Sequence, residues 1–151
     1  MLAPFFMWME GLAVYQSSIY LGPGVNLAHL VAMVTFMGAL LLVDLRCLGF
    51  GLTEQSVTQL ARSAHRWLIG GLAGLVVTGI PAVMAVATQE YENNTFWWKM
   101  YILATAILWT FTVRRKVVQS HDPGLGGKAV AIVSILLWMA VAAGGRLIMY
   151  L

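Results

Sequence analysis

Apolar residues run almost unbroken through four stretches of the chain, at about residues 24–45, 67–87, 97–113 and 129–148. Each comes close to the roughly 20 residues that carry a helix across a bilayer. A segment that does cross must be helical, because lipid offers no partner to a free backbone N–H or C=O. The third stretch is the shortest and lengthens only by including Lys99 and Thr112 near its ends. Ahead of the first lies MLAPFFMWMEGLAVYQSSIYLGPG, aromatic and mixed in polarity, closing on a Gly-Pro-Gly break. It reads as an interfacial helix over about residues 4–20, lying in the membrane plane. A cleaved signal peptide fits poorly, since no basic run precedes the apolar residues.

Composition agrees with this pattern. Of 151 residues, 60% are hydrophobic and 10% charged, with a mean hydropathy of +0.81. Soluble domains carry about 25% charged residues, so most of this surface must face lipid. Four crossings use most of the length, and the expectation is one membrane domain over residues 1–151. A single Cys47 excludes an internal disulfide and any multi-cysteine metal site.

The net charge of +3 is no sign of nucleic-acid binding, because the basic residues flank apolar segments. The loops after the first and third stretches hold Arg46, Arg62, Arg66, Arg114, Arg115, Lys116 and Lys128. The other side holds Lys99 and Arg146 against Glu10, Glu90 and Glu92. Basic residues concentrate on the cytoplasmic side of membrane proteins, so both termini are expected on the non-cytoplasmic side. Tyr91, Phe96, Trp97, Trp98 and Tyr101 then form an aromatic belt at the outer interface.

The second stretch contains GGLAGLVVTGIPA, where Gly70, Gly74 and Thr78 share a face at the small-residue spacing that lets helices approach closely. Packing within the bundle is the expected use, ahead of a dimer interface or a flat cofactor. Pro81 should kink this helix near its outer end. In the first stretch, Asn26, His29, Met33, Met37, Leu40 and Asp44 recur at spacings of three and four. That face is expected to look inward, since polar groups in a membrane turn to the bundle interior. Asp44 has Arg46, Arg62 and Arg66 in plausible reach, which predicts an ion pair at the helix ends. A proton-relay role lacks a second acidic residue at mid-membrane.

Histidine raises the question of a metal or haem. His29 and His65 cannot share one iron, because they differ in depth by about 16 residues, or roughly 24 Å. His65 has His121 of QSHDPG as a possible partner on the cytoplasmic side, although a loop histidine is more often solvated. On the outer side His29 is followed by Met33 one turn on, and Met84, Met100 and Met149 map to the outer ends of other helices. A His/Met set suits copper(I) or a His/Met haem b, while methionine also fills gaps in apolar cores. A packed, hydrogen-bonded His29 is the plainer alternative. Arg146 either snorkels to the headgroups or neutralises Glu10, the terminal carboxylate or a haem propionate.

No Walker loop, GxGxxG, HExxH, GxSxG or cysteine pair occurs, so nothing points to an enzyme acting by itself. Without a mid-membrane charge or a pair of broken helices, a self-contained transporter is not expected.

GALLLVDLRCLGFGL, LAR leading into GGLAGLVVTG, NNTFWWKMYIL and LLWMAVAAGGRLIMYL resemble a family of small bacterial four-helix membrane proteins of unknown function. The likeness runs over nearly the whole chain from about Met7, with VDLR and GGRLIMY its more specific blocks. It implies a multi-pass protein of the bacterial inner membrane. That family often places an acidic residue three positions before the histidine of the first span, where this chain has Asn26. More remotely, LVVTG and FWWKM are similar to the membrane domain of CopD-type copper-resistance proteins, which implies a redox or copper-handling setting.

The sequence therefore predicts an all-α membrane protein, a four-helix bundle with an N-terminal interfacial helix. Its expected function is haem b or copper binding for electron transfer or metal handling. The alternative is a non-catalytic accessory subunit of a larger membrane complex. Its partners would be lipid, other membrane subunits or further copies of itself.

Overall fold

The computed structural model describes residues 4–5, 7–8, 21–51, 54–120 and 124–147. Among these, four helices are long and apolar enough to cross a membrane, over Gly22–Leu48, Val57–Met84, Asn94–Val118 and Gly124–Gly145. The chain is an all-α four-helix bundle. Pro4, Phe5, Met7 and Trp8 are helical and exposed, with the Phe5 and Trp8 rings 6.1 Å apart. The remainder of the expected interfacial helix, Glu10 included, lies outside the described residues.

Helix α1 spans Leu21–Leu48. It ends where Gly49 takes a φ of +95°, with the Phe50 N–H returning to the Leu45 carbonyl and the Gly49 N–H to that of Arg46. These two bonds satisfy carbonyls that the helix end would leave open. Helix α2, Val57–Met84, begins ten residues before its apolar stretch, because Ser56 caps it by accepting from the Gln59 N–H. Pro81 lies inside α2, which continues only as far as Met84.

The two helices run antiparallel in close contact. A Cβ on Gly71 would lie 2.6 Å from the Phe36 backbone nitrogen, and one on Gly74 would lie 2.9 Å from the Ala32 Cβ. Glycine is required at 71 because the Phe36 backbone fills that space, and at 74 because the Ala32 methyl does. Gly70, expected on this face, has nothing within 4 Å, and its neighbour Gly71 makes the approach instead.

A short helix α3, Ala87–Glu92, turns the chain at the end opposite Leu48. Asn93 then caps α4, Asn94–Trp109, by accepting from the Thr95 N–H at 2.8 Å. The third span continues through a π-helical turn at Thr110–Arg114 into α5, Arg115–Val118. Helix α6, Gly124–Leu147, completes the bundle.

In cross-section the order is α2, α1, α6 and the third span; α2 scarcely touches the third span. The buried core is correspondingly narrow, built on Phe36, Leu40 and Val43 of α1 with Trp138 of α6. The Phe36 and Trp138 rings meet at 4.3 Å. Large apolar residues face outward instead, as with Val34, Val77 and Leu136, each more than 60% exposed. That is the pattern of helices solvated by lipid. The predicted stripe of α1 looks inward by degrees: Leu40 and Asp44 are buried, His29, Met33 and Met37 half-buried, and Asn26 exposed.

Candidate functional site

Polar side chains gather at two levels of the bundle. The first lies toward the aromatic end, where Tyr91, Phe96 and Trp97 stack edge-on and the Trp97 indole donates to the Tyr91 carbonyl at 3.0 Å. Here the closeness of α1 and α2 brings His29 to Thr78, with Nδ1 and Oγ1 2.7 Å apart. Thr78 also donates to the Gly74 carbonyl at 2.6 Å. A threonine hydroxyl has one proton to give. With that proton given to Gly74, His29 Nδ1–H is the donor to Thr78, and in the neutral tautomer the lone pair lies on Nε2. A Cβ at Gly79 would meet the His29 Cε1 at 3.5 Å, so the ring lies along this glycine.

Lys99 of α4 is within electrostatic reach of both His29 and Glu90. Its stem packs against α6 where two glycines leave room, with Nζ 3.5 Å from a Cβ placed on Gly145. Glu90 stands on α3, outside the spans, and its Oε2 is buried without a hydrogen-bond partner. Burial pushes its carboxyl above the ordinary glutamate range, and the Lys99 ammonium draws it part of the way back.

The second level lies about one turn inside the opposite, basic end. Arg114 Nε donates to Asp44 Oδ1 at 2.7 Å, and its Nη2 donates to the Leu40 carbonyl at 3.3 Å. Both side chains are almost wholly buried. Sequence neighbourhood had suggested Arg46, Arg62 or Arg66 as the partner of Asp44. Arg62 and Arg66 are instead exposed, and Arg46 Nε donates to the Gln55 carbonyl. Beside the pair, Trp138 Nε1 donates to Thr110 Oγ1 at 2.9 Å, and Thr110 donates to Ala106. Ser134 stands by the carboxylate, and its Oγ and Asp44 Oδ2 are buried without a partner at ordinary hydrogen-bond geometry. The π turn runs from Thr110 to Arg114. Such turns recur at functional positions in helices.

The residues singled out from sequence are thus dispersed. His65 is exposed near the basic end of α2, thirteen residues from Thr78, or about 20 Å along the helix. It shares no level with His29. Met33 is half-buried one turn along α1 from His29; Met84 closes α2, and Met100 is 39% exposed. His121 and Met149 lie outside the described residues, as does the side chain of Arg146, whose backbone stands in the last turn of α6. Among the described residues no three His, Cys, Asp or Glu side chains gather as a metal site.

Sequence reasoning did not bring Arg114, Thr110, Ser134 and Trp138 together around Asp44. Their signal was present: Thr110 and Arg114, like Ser134 and Trp138, are four apart on one helix face.

A family of unknown function, DUF6644, matches residues 5–151, and the chain belongs to it. No curated protein and no solved structure matches the chain.

Proposed function

We propose that this member of the family is a small integral membrane protein that holds one redox-active group on His29, for electron transfer or metal handling. The orientation of the ring carries this reading. Nδ1 is fixed by Thr78 and Nε2 is left with a free lone pair. Metal-bound histidines are held in the same way, one nitrogen donating to a fixed acceptor while the other binds.

Of the two candidate groups, haem b suits the described residues better than copper. The porphyrin supplies four ligands to its iron, so one histidine can anchor it. A free ion needs several protein donors, and on the same helix Met33 is the soft donor that stands one turn from His29. Lys99 points the same way: an ammonium within reach of His29 opposes a bare cation and suits a propionate. Arg146 is a second candidate for that neutralising role. Bound haem would supply one-electron redox chemistry; the chain would hold it, orient it and offset its charge. The surplus of basic side chains at the other end argues for an outward-facing site in a bacterial inner membrane.

A second reading, a non-catalytic accessory subunit, has its own support. Ile69, Leu72, Ala73, Val76 and Val77 form a shallow, open apolar face on α2. A helix from another subunit or a second copy would fit such a face. Absorption spectra of the gently purified protein, oxidised and reduced, with metal analysis on the same sample, separate the readings. A Soret band supports haem, and stoichiometric metal without one supports copper. A colourless, copper-free protein that co-purifies with larger membrane proteins would replace both with the accessory role.

A further inference from the structure

At the basic end α2 meets the third span where Thr58 Oγ1 donates to the Ser120 carbonyl at 3.3 Å, and beside that contact a cleft of about 240 Å³ opens between them. Its polar rim carries Arg62, His65, Arg115 and Gln119, and its apolar wall carries Val43, Leu68 and Phe111. Arg114 also lines it, but that guanidinium is already matched to Asp44. Arg62 and Arg115 are exposed and have no carboxylate partner among the described residues. The imbalance extends around them: Arg46, Arg62, Arg66, Arg114, Arg115, Lys116 and Lys128 stand in this half of the sequence pattern against Asp44, Glu54 and Asp122. The rim therefore carries uncompensated positive charge directly above apolar side chains.

Guanidinium groups match phosphate oxygens in both geometry and charge. Free phosphate would have no use for the apolar wall, whereas a lipid has both a charged head and a chain to lay along it. Basic pockets between spanning helices on the cytoplasmic side are places where anionic headgroups collect. We propose that this cleft binds the phosphate of an anionic phospholipid, with the headgroup on Arg62, His65 and Arg115 and an acyl chain along Leu68 and Phe111. The site is at the opposite end of the bundle from His29 and does not depend on what His29 holds.

The test is native mass spectrometry of the full chain in mild detergent, titrated with phosphatidylglycerol, phosphatidylcholine or inorganic phosphate. Phosphatidylglycerol should bind one to one and saturably, ahead of phosphatidylcholine. The double variant Arg62→Gln/Arg115→Gln should weaken it about thirty-fold, from the loss of two interfacial cations. The control Arg66→Gln/Lys116→Gln, which removes the same charge outside the cleft, should leave it nearly unchanged. Equal weakening in both double variants would reduce the effect to diffuse surface charge and overturn the proposal. Equal binding of phosphatidylcholine would also overturn it. Displacement of the lipid by millimolar inorganic phosphate would assign the cleft to a free anion instead.

Discussion

Asp44 and Arg114 lie 70 positions apart along the chain and meet inside the bundle, Arg114 Nε donating to Asp44 Oδ1 at 2.7 Å. The pair joins α1 to the third span, which otherwise packs chiefly against α6. Each charge makes the other tolerable, since an isolated ionised side chain at this level would be costly in lipid. Arg114 spends a second donor on the Leu40 carbonyl, so the tie fixes a backbone as well as a side chain.

Removing one partner should therefore harm the fold more than removing both. Asp44→Leu or Arg114→Leu alone is expected to cost about 3–5 kcal/mol, the usual penalty for stranding a buried charge. The double variant should recover most of that loss. Unfolding of the four proteins in one detergent completes the cycle; additive single effects would mean that the pair is not coupled.

The α1–α2 contact yields a sharper comparison between neighbours. Gly71→Ala forces a Cβ against the Phe36 backbone and should destabilise by about 1–3 kcal/mol, as overpacking does. Gly70→Ala meets open space and should change stability little. Thermal unfolding of both variants checks the register, and a reversed order would shift the helix by one position.

Thr78 is expected to act through His29. Thr78→Val removes the acceptor of the Nδ1 proton while keeping the shape, and should weaken binding of a group on Nε2 about 10–100-fold. Thr78→Ser should restore it. Titration of the purified apoprotein with haemin reads both; equal affinity in all three proteins would leave the hydrogen bond without a role in binding.

Glu90 gives the protein a pH dependence of predictable sign. Its carboxyl is raised in the folded state by burial, against the opposing pull of Lys99. The folded chain therefore holds this proton more tightly than the unfolded chain. Stability should fall as pH rises from the ordinary glutamate value through the raised one. Glu90→Gln should flatten that slope. Unfolding measured between about pH 4 and 7 compares the two proteins, and identical slopes would remove Glu90 as the cause.

The four crossings were legible because lipid imposes a requirement that composition alone can meet: long apolar runs with satisfied backbones. The start of α2 at Val57 was not, since VTQLARSAHR is polar enough to hide a helix that Ser56 begins. Choosing between Gly70 and Gly71 needs the rotation of an apolar helix, and one residue turns it by about 100°. Asp44 was recognised as half of an ion pair, but proximity in sequence favoured arginines on the adjoining loop and helix. Arg114 wins because the third span delivers it at the right depth, a fact of tertiary packing. His29 could be placed near the end opposite the basic loops from sequence; its proton could be assigned only once Thr78 and Gly74 were seen together.

The most direct test is the reduced-minus-oxidised absorption spectrum of the purified protein beside its His29→Ala and His65→Ala variants, with haem quantified per chain. Haem anchored on His29 gives a Soret band at about one haem per chain, kept in His65→Ala and lost in His29→Ala. A spectrum without the band, or a band that survives His29→Ala, would contradict it.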